Sequence, residues 1–328
     1  MSKSLNLRVG DLVEVLSLEE ILATLDEGGR LEKMAFMPEM VRFCGQRFRV
    51  GKSAHKTCDT ISRGGPMRSV VGCVHLEGLR CTGEAHGGCE AECMLFWKEA
   101  WLKRVDARAA APSRPARPAK SGVCSAQTLV DATRVAGTAG DPEGATFSCQ
   151  ATELLKASTP ITRWSPGQYV KDVRSGNVSL GAAIKGLAIE AFNRIQIRRN
   201  GRRIPHVTGW LEKTPKELLD LAAGDKIRVK SKQEIMKTLD VKEKNRGLAF
   251  DEEMTVFCGR EFTVRKRVGQ IINEKTGKMM KIKGDCMILN NVVCEAHYHR
   301  FCPRAIFPWW REIWLERVGD NPGSRRSG

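Results

Sequence analysis

Two stretches of the chain open with alternating apolar and polar positions, Asp11-Leu-Val-Glu-Val-Leu16 and Asp225-Lys-Ile-Arg-Val-Lys230. That period of two predicts a half-buried strand in each. A serine follows directly, with a glutamate three residues on: Ser17 with Glu20, and Ser231 with Glu234. In such a capping box the serine oxygen accepts an orphan amide and the glutamate reaches back, which predicts a short helix. Its apolar stripe would be Ile21, Leu22 and Leu25, or Ile235, Met236 and Leu239 in the second stretch. A further helical turn is expected around Met40 and Met254. Strands are expected at 48–50 and 70–76, with counterparts at 262–264 and 286–289. Glu274-Lys-Thr-Gly277-Lys reads as a hairpin turn, since glycine takes the positive φ such turns need. Between the two stretches, Leu180, Ile184, Leu187, Ala191 and Ile195 recur at helical spacing. That helix runs into a basic cluster, Arg194, Arg198, Arg199, Arg202 and Arg203.

These parallels are one duplication. Shifting the sequence by 214 positions places Gly10-Asp11 on Gly224-Asp225 and holds as far as Val50 on Val264. A shift of 213 then places Cys73, Cys81, Cys89, Trp97, Trp101 and Val105 on Cys286, Cys294, Cys302, Trp310, Trp314 and Val318. Roughly thirty identities fall in this register, so the two copies should share a fold. Short strands around a capped helix predict an α+β chain with two homologous small β-barrel-like modules, weakly SH3-like. Residues 1–106 form the first module and 216–319 the second. Residues 107–144, rich in Ala, Pro and Arg, read as a largely disordered linker. Residues 145–215 read as a basic helical region and 320–328 as a flexible tail.

Composition narrows the class. A hydrophobic fraction of 41% and a charged fraction of 28% are ordinary for a globular protein. The formal charge of +16 favours an acidic partner: nucleic acid, an anionic membrane surface or an acidic polymer. A protein partner is equally compatible. No apolar leader stands at the N-terminus, and no run approaches the roughly 18 apolar residues of a membrane helix. The expected compartment is therefore the cytosol, with no transmembrane segment. The twelve cysteines are then expected to be thiols or metal ligands rather than disulfides.

In the first module Cys58 and Cys81-x7-Cys89-x3-Cys93, with His86 between, offer four thiolates from two segments. Such a set could close a tetrahedral zinc site or hold an iron–sulfur cluster, or the thiols could simply be buried. Cys58 and Cys93 fall on Ile272 and Ile306 in the second copy, which offers instead Cys294-x2-His297-x-His299-x2-Cys302. Loss or partial retention of the site there is the expectation. Cys44, Cys258, Cys73 and Cys286 suit the core. Cys149 opens a helical stretch, where a helix N-terminus could activate a thiol as a nucleophile. The tryptophans near Lys98 and Arg311 could stack on bases or sugars, or pack the core.

Two functional classes follow. One is a cytosolic metal-binding protein, zinc first, acting as a binding or accessory protein with a basic surface. The other is an iron–sulfur or metal-dependent enzyme. No Walker loop, GxGxxG, HExxH or GxSxG motif is present, so the sequence leaves enzyme status open. Taken together, Phe36-Met-Pro-Glu-Met40, Cys44-Gly, Lys56-Thr-Cys58-Asp-Thr, His75-Leu-Glu-Gly-Leu-Arg-Cys81, Cys302-Pro-Arg and Trp310-Arg-Glu-Ile-Trp314-Leu resemble a family of duplicated cysteine-rich bacterial proteins. That resemblance lends no catalytic residue. It implies a place among biosynthetic genes for polysaccharides or natural products.

Overall fold

The computed structural model describes residues 5–62, 66–105, 124–135, 145–162, 164–282 and 285–318. The expected linker from 107 lies outside them over most of its length, as does the tail from 320. The chain forms two compact units. Unit 1 comprises Met1–Lys185, Gln270–Met280 and Phe301–Ala305; unit 2 comprises the remainder. Two pieces of the second repeat thus belong to unit 1.

Each unit contains a five-stranded antiparallel sheet of the same order. In unit 1 it runs Trp97–Lys98, Cys73–Leu76, Arg47–Ser53, Leu12–Val15, Leu102–Arg104. In unit 2 it runs Trp310–Arg311, Cys286–Leu289, Glu261–Arg267, Lys226–Val229, Leu315–Arg317. The two edge strands of each sheet are separated along the chain only by a 3-10 turn, Glu99–Trp101 or Glu312–Trp314. So short a connection obliges the sheet to curl, yet no barrel is closed. The expected barrel is instead an open, curled sheet, because the turn joins the edges without hydrogen-bonding them to each other.

The capped helices are present as α1 (Leu18–Leu22) and its copy Lys232–Met236, both with the complete Ser/Glu box. The turns at Met40 and Met254 are 3-10 helices, Pro38–Phe43 and Glu252–Phe257. Trp97, Trp101, Trp310 and Trp314 are fully buried, so they pack the core and cannot stack on a ligand. Phe36 meets Trp101 edge to face at 5.2 Å, and Phe250 meets Trp314 at 5.4 Å. The Trp101 indole donates to Thr24 at 3.1 Å, and Trp314 donates to Thr238 at 2.9 Å. Each threonine in turn donates to a carbonyl of its capped helix, Ile21 or Ile235.

Four further helices follow along the chain among the described residues: α2 (Ala126–Asp131), α3 (Gln150–Glu153), α4 (Pro166–Arg174) and α5 (Leu180–Arg198). Helix α4 is tied to the short strand Lys56–Thr57 by a fully buried ion pair, Lys56 Nζ to Asp172 at 2.5 Å, with His55 Nε2 on the same carboxylate at 3.2 Å. The Lys56 ammonium faces the rings of Tyr169 at 5.1 Å and Phe301 at 5.7 Å. Along α5 only Ala183 is buried. Leu180, Ile184, Leu187 and Ile195 of the expected apolar stripe are exposed.

Replacing Trp101 or Trp314 by alanine is expected to cost about 3–5 kcal/mol in denaturant unfolding followed by circular dichroism, with Thr24→Val and Thr238→Val costing about 1 kcal/mol. Equal losses in the two copies would show that the repeated core carries both units.

Candidate metal centre

In unit 1 the loop after strand Cys73–Leu76 carries Cys81, Cys89 and Cys93. It closes tightly because Gly83 sits at φ +76°, where a Cβ would stand 2.0 Å from the Cys89 carbonyl oxygen. The turn brings Cys81 Sγ to 3.3 Å from His86 Nε2. The other ring nitrogen, Nδ1, lies 3.1 Å from Glu39 Oε1. Glu39 also accepts the Ala85 amide, and its second oxygen is buried with no hydrogen-bond partner among the described residues. Burial pushes the Glu39 carboxyl up, but His86 and the amides of Glu39 and Ala85 hold it below its ordinary value.

Unit 2 repeats this arrangement at the equivalent positions. Glu253 accepts the amides of His297 and His299, each at 3.0 Å, and Cys294 Sγ lies 3.7 Å from His299 Nδ1. His299 Nε2 pairs with Asp251 at 3.4 Å. Burial lowers the His299 pKa, yet Asp251 and Cys294 raise it to about 11. Among the described residues, two sets of three possible ligands gather their atoms within 4.8 Å: Glu39, Cys81 and His86, and Glu253, Cys294 and His299. The two glutamates escaped the sequence reading. Their signal was present, since Glu39 falls on Glu253 in the repeat register, but an acidic residue among Met and Phe reads as a helix-start charge.

Three more thiols surround the unit 1 set. Cys81, His86, Cys89, Cys93 and Cys149 all line one cavity of about 40 Å³. Burial pushes Cys93 up to about 12 and Cys149 up to about 11. Cys149 is the N-cap of α3, and Thr152 and Ala151 amides soften its shift without reversing it. An activated nucleophile at that helix start is therefore not what the structure shows: burial wins over the helix terminus.

Cys58 and Cys302 lie apart from the close Glu39–Cys81–His86 set and meet each other. The Cys58 amide donates to Cys302 Sγ at 3.1 Å. The segment Phe301–Ala305 is held beside them by Arg304, which is buried, pairs with Glu274 at 3.0 Å and donates to Thr60 at 2.9 Å. Burial works against the Arg304 charge, but Glu274 and the sulfurs of Cys58, Cys93 and Cys302 raise its pKa. Burial raises Cys302 too, yet the Cys58 thiol, nearby amides and Arg304 bring it below its ordinary value. Cys302 thus belongs to unit 1, whereas Cys294, His297 and His299 belong to unit 2. His297 points to Glu295 at 2.7 Å and is half exposed. The chain carries no disulfide: all twelve cysteines are free.

The basic cluster is partly neutralised. Arg194 pairs with Glu190 at 3.2 Å, and Arg203 with Glu243 at 3.3 Å and Glu252 at 3.1 Å. Arg198, Arg199 and Arg202 are exposed. Among the described residues, no helix is long and apolar enough to cross a membrane. No family model, no curated protein and no solved structure matches this chain.

Beside the centre, His75 is fully buried and contacts the Leu95 carbonyl through Nδ1 at 2.9 Å. Burial lowers its pKa; the Leu95 carbonyl opposes this, Arg304 and Arg80 reinforce it, and the result is about 4 instead of 6.5. The unfolded chain then binds this proton at a higher pH than the folded one, so the neutral ring's stabilisation is complete above about 6.5 and is lost as pH falls toward about 4. Urea titrations across that window should show wild type and His75→Gln converging in stability as the pH drops. A constant gap would place His75 outside the acid response.

Proposed function

We propose that this chain is a metal-binding protein, acting as a binding or accessory factor, with its working centre in unit 1 and a reduced copy in unit 2. The observation that carries the reading is the recurrence of the same three ligand types, Glu39–Cys81–His86 and Glu253–Cys294–His299, at equivalent positions and gathered within 4.8 Å in both copies. A hydrophobic core needs neither a thiol beside an imidazole nor a carboxylate with an idle buried oxygen. Soft thiolate and imidazole donors suit a transition metal such as zinc or iron. The carboxylate against the far ring nitrogen of His86 is the arrangement that orients a metal-binding imidazole. A competing role for Glu253 is to tie the amides of its loop, which a metal site also requires.

The exposed Arg198, Arg199 and Arg202 supply a basic face for an acidic partner, in keeping with the net charge of +16. Cytosolic residence fits the free thiols.

Elemental analysis of the full chain, purified without chelator or oxygen, is expected to find bound transition metal, most of which disappears in Cys81→Ser. Metal-free wild type that unfolds at the same denaturant concentration with and without chelator would overturn the reading. For the partner surface, heparin retention should weaken when Arg198, Arg199 and Arg202 become glutamine, and stay unchanged when the ion-paired Arg203 does. Retention indifferent to the triple change would remove the basic helix from the binding surface.

A further inference from the structure

We infer that Cys81, Cys89, Cys93 and Cys149 form one four-thiol centre in unit 1 that takes an iron–sulfur cluster; this rests on the metal-centre reading above and names its cargo. The four sulfur-bearing residues come from two distant segments and line the same cavity of about 40 Å³. They are mutual electrostatic neighbours: Cys81 with Cys93 and Cys149, Cys93 with Cys89 and Cys149, and Cys149 with Cys89. Yet of these four only Cys81 belongs to a set of ligand atoms lying within 4.8 Å.

The spacing decides between cargoes. Zinc–sulfur bonds of about 2.3 Å bring the sulfurs of one tetrahedral ion to within about 4 Å of each other. No three of these four sulfurs lie mutually within 4.8 Å, so they do not meet that condition. They match a polynuclear cluster, whose inorganic core fills the space between its cysteine ligands.

The sulfurs are also supplied with donors. The Ile272 amide donates to Cys89 Sγ at 3.3 Å, the Gly83 amide to Cys81, and the Ala151 and Thr152 amides to Cys149. Apolar packing of a thiol asks for no such donors, whereas amide hydrogen bonds to cysteine sulfur stabilise thiolate and tune a cluster's potential. The hairpin holding Ile272 is placed for this by Gly277: at φ +71°, a Cβ there would stand 2.6 Å from the Phe147 carbonyl oxygen, two residues before Cys149. Copy 2 lacks the set, with Ile306 in place of Cys93 and Cys302 drawn into unit 1. One cluster per chain is the consequence.

Loading requires the four thiols to give up their protons to solvent as iron binds, the usual coupling of metal uptake to thiolate formation. In this assignment His86 is a positioning residue that contacts the Cys81 sulfur, and Glu39 holds its ring.

The test is reconstitution of the full chain with equal amounts of ferric and ferrous iron plus sulfide under nitrogen, so that no oxidant is needed, read by iron and acid-labile sulfide content, visible absorption and paramagnetic resonance after reduction. Wild type is expected to bind iron and sulfide in equal amounts. Cys149→Ser and Cys89→Ser should each lose most of both while keeping the wild-type circular dichroism. Cys44→Ser, at a half-buried position outside the cavity, should keep them, and His86→Gln should keep the cluster with a shifted reduction potential. One zinc that depends on Cys81 and His86 but survives Cys149→Ser would overturn the cluster while leaving the metal-centre reading intact. No metal of any kind would overturn both. A full cluster in folded Cys149→Ser would overturn this ligand set.

Discussion

Each unit depends on two buried indoles set around a 3-10 turn. Trp97 and Trp101 flank the passage from one sheet edge to the other, as do Trp310 and Trp314, and none touches solvent. Burying such rings supplies a large share of the apolar area a module of this size can hide. Their edge-to-face contacts with Phe36 and Phe250 fix the 3-10 turn against the segment leading into Pro38–Phe43 or Glu252–Phe257. Because the turn is anchored, the sheet curls; because it curls, the loops beyond strands Cys73–Leu76 and Cys286–Leu289 project from corresponding ends. The candidate ligands stand on those loops.

On that common frame the two copies diverge in what surrounds the ligands. Both keep glutamate, cysteine and histidine together. Unit 1 adds three thiols and a cavity, with the buried guanidinium of Arg304 near Cys93. Unit 2 offers a more exposed imidazole paired with Asp251 and no further sulfur in its set. The buried core residues recur because removing any one costs several kcal/mol, while the loop residues around the two sets differ.

Unit 1 is moreover not the first repeat alone. The segment Phe301–Ala305 lies along Lys56–Thr57 and Cys58, placing Phe301 near the Lys56 ammonium, Cys302 beside Cys58 and Arg304 against Thr60 and Glu274. A fully buried ammonium needs both its carboxylate and its surrounding rings, since an uncompensated buried charge is strongly destabilising. Lys56 finds the first in α4 and part of the second in a residue 245 positions away by sequence number.

The sequence by itself determined the elements whose causes are local. Capping boxes, alternating strands and the Gly277 hairpin depend on residues within a few positions of one another, and all stand in the structure. It also set Cys81, His86, Cys89 and Cys93 in one short segment. Only the tertiary structure could decide which thiols come together. Cys149 lines one cavity with Cys81, Cys89 and Cys93, and Cys302 meets Cys58 instead of Cys294, through packing between segments that no periodicity relates. Charge was equally ambiguous: five arginines in a row of helical positions look alike in the sequence, and only folding sets Glu243 and Glu252 against Arg203 and leaves Arg198, Arg199 and Arg202 in water. Local propensity is written in spacing, whereas ligand sets and ion pairs are made by long-range contacts that exist only once the core has formed.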